Sequence, residues 1–247
     1  MGCLEGKVAF VSGGCCDLTA TNARILASEG AKVVIADACE EEGKKIAKSL
    51  GSQGRFLYLD IIEPSEWIDA VEITERAFGR INILVNHARR VNYALFDDYN
   101  NQQFGECIEV NLFGTFYGMK TVIPSMQIAG GGSIINVSSV SGLKVFPRQP
   151  GYVASSWGVR GLTKSAALDL AQYNIRVNSI HAEDVVPTDT NADNIETTLA
   201  SVNRFNSPDE IARLVLFLAS DKSAHITGAE IPVDDKEIAG WITPTRS

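Results

Sequence analysis

The chain is short of basic residues. It carries 22 Lys and Arg against 30 Asp and Glu, a net charge of -8. That balance argues against nucleic acid as a partner. Apolar residues never run on for about 18 positions, so no segment reads as membrane-spanning and no membrane partner is expected. Cysteine is sparse: Cys3, Cys15, Cys16, Cys39 and Cys107, with no C-x-x-C pair. The odd number and the spacing argue against a disulfide framework and a zinc site, so no metal is expected. Buried reduced thiols are the plain reading, with a reactive group of Cys15, Cys16 and Cys39 as the alternative. Signals for targeting are also missing. Met1-Gly2-Cys3 opens like a myristoylation site, but Gly6 stands where Ser or Thr is wanted. A cytoplasmic protein is the expectation.

What is present is alternation. The chain has 247 residues, 45% of them hydrophobic, enough for one domain over 1–247 with a full core. Apolar, β-rich runs at 7–13, 32–37, 55–60, 83–86, 133–139, 175–181 and 229–234 predict strands. Amphipathic stretches at 18–29, 40–50, 65–78, 101–126, 152–171 and 208–219 predict helices. A continuous apolar run such as Val33-Val34-Ile35-Ala36 suits a strand covered on both faces. The fold class is α/β, a single-domain doubly wound parallel sheet of about seven strands flanked by helices. Residues 182–206 have no strong period and follow a strand C-terminus. They read as a substrate lid or, equally, as a surface connection.

The most informative spacing is Tyr152 followed four residues later by Ser156, with Ser138-Ser139 upstream at a strand end. Asn111 lies in the long helical stretch before them. The first strand runs into Ser12-Gly13-Gly14-Cys15-Cys16-Asp17-Leu18-Thr19, and the fourth ends in Asn86-His87-Ala88-Arg89-Arg90. Together with Arg176-Val177-Asn178-Ser179 and Thr227-Gly228, these runs resemble the short-chain dehydrogenase/reductase family over nearly the whole chain. The resemblance implies a Rossmann-type fold. It assigns Ser139 to orienting a substrate oxygen, Tyr152 to proton transfer and Asn111 to a water relay. It implies a homo-oligomer, dimer or tetramer, acting on a small-molecule substrate.

The resemblance also implies a dinucleotide site, held here by Gly13, Asp37, Asp60 and Asn86. Several positions depart from it. Ser156 stands where the family has the lysine that lowers the tyrosine pKa and grips the nicotinamide ribose. Asp17 and Thr19 replace the second and third glycines of the phosphate loop. Arg89 replaces a glycine, and Glu183 follows the sixth strand. A carboxylate beside a diphosphate costs roughly 1–4 kcal/mol per like-charge pair at about 4 Å. The bland alternative makes Asp17 a helix N-cap. His87 reads as a satisfied structural histidine more readily than as a base.

With its lysine gone, Tyr152 is a phenol of pKa about 10, only about 0.1% ionised at neutral pH. To act as a base it needs another cation, and Arg89 or Arg90 is the candidate. That idea fails if both guanidinia lie more than about 8 Å from the hydroxyl, a Debye length away.

The set of departures leads to an expectation of lost cofactor dependence, with no cofactor or, if any, NAD. The expected activity is a lyase, isomerase, dehydratase or cyclase using Ser139 and Tyr152 on an apolar oxygenated substrate. One alternative is an inactive binding or regulatory relative. The other is an atypical NAD-dependent alcohol or ketone dehydrogenase, favoured by Asp37 and Asp60. Tyr93-Ala94-Leu95-Phe96, Val145-Phe146-Pro147 and Trp157 suggest an apolar pocket, though core packing explains them equally well.

Overall fold

A computed structural model describes residues 2–13, 16–87, 89–182, 207–234 and 238. Strands β1 (Val8–Ser12), β2 (Lys32–Asp37), β3 (Gly54–Tyr58), β4 (Ile83–Asn86), β5 (Gly132–Ser139), β6 (Ile175–Ala182) and β7 (Glu230–Val233) form one sheet. Their order is β3-β2-β1-β4-β5-β6-β7, and every neighbouring pair is parallel. The order reverses between β1 and β4. In such sheets the crevice at the strand C-termini of that switch point is the binding place. Gly13 and His87, which follow these two strands, are joined by the Ser12 carbonyl, which accepts from His87 N at 2.8 Å.

Helices α1 (Asp17–Ser28), α2 (Glu40–Ser49), α3 (Pro64–Phe78), α4 (Asn101–Cys107), α5 (Gly114–Ile128), α6 (Pro150–Leu170) and α7 (Pro208–Ala219) cover both faces. Two apolar cores result. One packs Leu18, Ala23 and Leu26 of α1 and Ile211, Val215 and Leu218 of α7 on one face. The other packs Trp67 of α3, Met119 and Val122 of α5 and Leu170 of α6 on the opposite face. Central strands therefore need apolar residues in sequence, and Val33 to Ala36 are all fully buried. Each Val or Ile among them contributes about 1.5–3 kcal/mol on leaving water. Gly118 of α5 is required by close approach, since a Cβ there would lie 2.6 Å from the Trp67 ring and 2.7 Å from Asn86 Oδ1.

The expected strands and helices agree with the structure to within a residue or two, with one exception. The stretch 101–126 reads as a single helix in the sequence. The structure breaks it: between α4 and α5 lies a wide π turn, Ile108–Phe113. Such turns insert an extra residue and redirect the side chains within them. Asn111 sits inside it. The segment 183–206, which holds Glu183 and all but the first residue of the expected lid, lies outside the described residues, as does Cys15.

Candidate active site

Tyr152 is in the first turn of α6, just after Pro150, whose fixed backbone suits a helix start. Its ring is buried. Arg89 lies on the loop after β4, and its Nε donates to the Tyr152 hydroxyl at 3.1 Å. The guanidinium carbon stands 5.5 Å from the ring centroid, within cation–π range. The sequence-based limit of about 8 Å is met with room to spare. Arg90 takes a different course. Its guanidinium pairs with Glu106, Nη2 to Oε2 at 2.7 Å.

Asn111 fixes that loop. Its Oδ1 accepts from Arg90 N at 2.7 Å and its Nδ2 donates to Arg90 O at 2.9 Å. Nδ2 also donates to Ser155 Oγ at 3.0 Å, and Ser155 in turn donates to the Tyr152 carbonyl at 3.0 Å. One buried amide thus ties the β4 loop to the helix that carries Tyr152. Sequence reasoning missed Ser155, and nothing in the spacing singles it out beside Ser156.

Tyr152, Ser156, Asn111, Arg89, His87 and Ser138 line one small cavity of about 30 Å³. That is room for a water or two. Ser156, the shortened lysine position, is buried in its wall. Ser139 lies one residue beyond Ser138 on β5. Val137 and Ser138 line this cavity from β5, and Ser139 is not among its lining residues. The Ser139 hydroxyl accepts from Ser141 N at 3.1 Å. Its carbonyl accepts from His181 Nδ1 at 3.0 Å, and Ser179 lies 2.9 Å from the other ring nitrogen. Burial lowers the His181 pKa, keeping the ring neutral at this strand end.

The phosphate-loop end is built differently. Gly13 turns the chain off β1 at φ +76, a conformation that favours glycine. Thr19 is fully buried. Its hydroxyl donates to the Gly13 carbonyl at 3.2 Å, and His87 Nδ1 lies 3.0 Å away as the partner donor. Burial, then the charge of Arg89, push the His87 pKa down to about 4, with Asp37 opposing. His87 is therefore a neutral structural histidine at ordinary pH. Cys16, and not Asp17, is the N-cap of α1, and it gives no side-chain cap bond. Asp17 is the first helical residue, where a carboxylate suits the helix dipole.

Asp37 ends β2, its Oδ1 accepting from Cys39 N at 2.7 Å. Asp60 follows β3 and its Oδ1 accepts from Ile62 N at 3.2 Å. Asn86 turns into the sheet, bonded to Asn136 Oδ1 at 2.9 Å and to the Ser12 hydroxyl at 3.0 Å. Trp157 is 43% exposed on α6, with the Arg160 guanidinium 4.7 Å from its ring. Tyr93, Leu95, Phe96 and Val145 are exposed on the loops after β4 and β5, which are stitched together by Ala94 N to Arg148 O at 3.0 Å.

A family profile described as enoyl-(acyl carrier protein) reductase matches residues 18–235. The chain is 42% identical over 239 residues to the 3-alpha-(or 20-beta)-hydroxysteroid dehydrogenase of Mycobacterium tuberculosis, covering 97% of this chain and 92% of that one. It is 40% identical to the trans-4-hydroxycyclohexanecarboxylate dehydrogenase of Sinomonas cyclohexanicum, over 95% and 93% of the two chains. Its identity to the cyclopentanol dehydrogenase of Comamonas testosteroni is 34%, over 95% and 98%.

These dehydrogenase relatives overturn the expectation of a cofactor-independent lyase, isomerase, dehydratase or cyclase, and with it the expectation that no cofactor is used. The geometry shows why counting departures misled. The Thr19 side chain is folded into the protein as a brace for Gly13. On the same side as the short Ser156, the Arg89 guanidinium is hydrogen-bonded to the phenol. Among the described residues no helix is long and apolar enough to cross a membrane. The fold, the profile and the relatives agree: the chain belongs to the short-chain dehydrogenase/reductase family.

Proposed function

We propose that the protein is a nicotinamide-dependent dehydrogenase that interconverts a ring-borne secondary alcohol and its ketone. The observation that carries this reading is the buried Tyr152 hydroxyl with a cation 3.1 Å away, in a chain 42% identical to a hydroxysteroid dehydrogenase.

Three features fit a dinucleotide, against the Asp17 carboxylate in the first turn of α1. Gly13 makes a left-handed turn, α1 starts without a side-chain cap from Cys16, and an acidic residue ends β2. An uncapped helix N-terminus presents backbone N–H groups to an anion. The Gly13 turn and α1 would hold the diphosphate and Asp37 the adenosine ribose, which favours NAD over NADP. When bound, the nicotinamide supplies the acceptor for the hydride that leaves the carbinol carbon.

The chain's own part is the proton. Tyr152 takes the hydroxyl proton during oxidation and returns it to the carbonyl oxygen during reduction. General acid–base help of this kind is worth about 10²–10⁴ in rate. The family resemblance gives Ser139, at the end of β5 and one residue beyond the cavity-lining Ser138, the part of orienting the substrate oxygen. Asn111 holds the β4 loop and α6 at a fixed spacing through Arg90 and Ser155. Exposed Tyr93, Leu95, Phe96 and Val145, on loops flanking Arg89 and Ser139, offer an apolar surface to an alicyclic ring. The steroid, cyclohexane and cyclopentane rings in the relatives' names agree with that class. The active form is a homo-oligomer, as in the family.

The test follows reduced nicotinamide by absorbance, with NAD and NADP against cyclopentanol, a cyclohexanol carboxylate and a hydroxysteroid. NAD-linked turnover is expected with at least one of them, falling about 10²-fold or more in Tyr152→Phe. Turnover unchanged in Tyr152→Phe, or no thermal stabilisation by millimolar NAD, would sink the reading.

A further inference from the structure

Beside the proton-transfer oxygen stands a charge that α6 itself does not provide. The α6 residue one turn after Tyr152 is Ser156, short, neutral and buried. The charge comes from another element. Arg89 reaches from the loop after β4 and meets both the hydroxyl and the face of the same ring.

We propose that Arg89 is a catalytic residue: from the β4 loop it supplies the positive charge that holds Tyr152 as a phenolate, ready to accept the substrate's proton. The inference rests on the reading of Tyr152 as the proton acceptor.

Three observations support it. The first is contact. An Nε–H donor at 3.1 Å bonds better to a phenolate than to a phenol, and a hydrogen bond to the charged form favours that form. The second is placement. Arg89 does not hang on a free loop, because the next residue is gripped by both atoms of the buried Asn111 amide. Asn111 is thus a positioning residue for the cation as well as for the helix. The third is elimination among neighbours. Arg90 is committed to Glu106 through Nε at 3.1 Å and Nη2 at 2.7 Å. Around the phenol, β5 brings Ser138, the π turn and α5 bring Asn111 and Thr115, and α6 brings Ser156. Besides Tyr152 itself, the titratable or charged groups among the described residues lining this cavity are His87 and Arg89. His87, with its pKa near 4, is neutral where the enzyme works and lends no charge.

The sign is fixed by electrostatics. A cation beside the hydroxyl favours the charged phenolate and lowers the pH at which it forms. Removing the cation raises that pH. An opposite charge this close moves a pKa by about 1–3 units.

The experiment reads the phenol directly, in the full chain without substrate or nicotinamide. Phenolate absorbance is followed against pH, and the Tyr152 transition is isolated from the other five tyrosines by difference with Tyr152→Phe. In Arg89→Gln the Tyr152 midpoint rises by about 1–3 units, and in Arg89→Lys most of that shift is recovered. Arg90→Gln leaves the midpoint in place. The rising limb of kcat/KM against pH moves upward with the phenol in Arg89→Gln. A midpoint equal to wild type in Arg89→Gln, or one moved as far by Arg90→Gln, overturns the assignment. The two readings fail separately: an unmoved midpoint in an active dehydrogenase removes this one alone, whereas a shifted midpoint in a chain that never turns over removes only the dehydrogenase.

Discussion

The two ends of the crevice depart from the family pattern in opposite ways. At the β1–α1 end, the unexpected side chain is absorbed where it stands: Thr19 packs inward and braces the Gly13 carbonyl. At the β4–α6 end, the missing lysine is answered from a different element, by Arg89 on the phenol. The first is a local repair and the second a remote one. A motif read along the chain treats both as damage, because it records positions and not the space that side chains share. His87 joins the two ends, bonded to Thr19 on one side and lining the Tyr152 cavity on the other.

That shared histidine gives the largest test of the comparison. Its folded pKa of about 4 lies below the ordinary value of 6.5, chiefly through burial. Between those values the unfolded chain binds a proton that the folded chain refuses. Stability contributed by neutral His87 is therefore present above pH 6.5 and lost as pH falls towards 4. The loss is about 3 kcal/mol at most, at about 1.4 kcal/mol per unit. Urea unfolding at pH 7 and pH 5 should show the drop, and His87→Gln, which keeps a hydrogen-bonding partner for Thr19, should flatten it. A drop of equal size in the variant would mean that acid acts elsewhere and that the two ends are not joined through this ring.

Thr19→Gly restores the family residue and so separates repair from defect. If Thr19 is a brace, glycine costs about 1–3 kcal/mol, from the lost hydrogen bonds to Gly13 and His87 and glycine's poor helix propensity. NAD affinity then stays level or falls. A glycine variant as stable as wild type that binds NAD tenfold tighter would show Thr19 to be the obstacle its position first suggested.

How much was legible beforehand follows the same division. The sheet was readable because its central strands are buried on both faces, so Val33 to Ala36 announce themselves by composition. Resemblance pointed to Tyr152, Asn111 and Ser139, and the structure brings the first two to one cavity whose lining does not include Ser139. The π turn was not, because the helical pattern runs on through Ile108–Phe113 and the extra residue leaves no mark in composition. Nor was Ser155, whose value lies in reaching Asn111, 44 positions away in sequence. The Arg89 contact was open to sequence reasoning only as a need for some cation. The choice between Arg89 and Arg90 depends on Glu106 claiming the second.

That claim makes the smallest prediction. Glu106 Oε2 accepts from both Nε and Nη2 of Arg90, and from Asn92 Nδ2 at 3.3 Å, which together hold its carboxyl below the usual range. Arg90 is half exposed, so the pair is screened and worth little by itself. If the loop is held by Asn111 and its backbone bonds, Glu106→Gln should change kcat/KM by less than about twofold, the scale of an exposed ion pair. Steady-state rates near neutral pH decide it. A loss matching that of Arg89→Gln would mean that the ion pair, and not the buried amide, sets where the guanidinium of Arg89 falls. The remote repair would then hang on a surface contact and weaken with salt, whereas a brace like Thr19 would not.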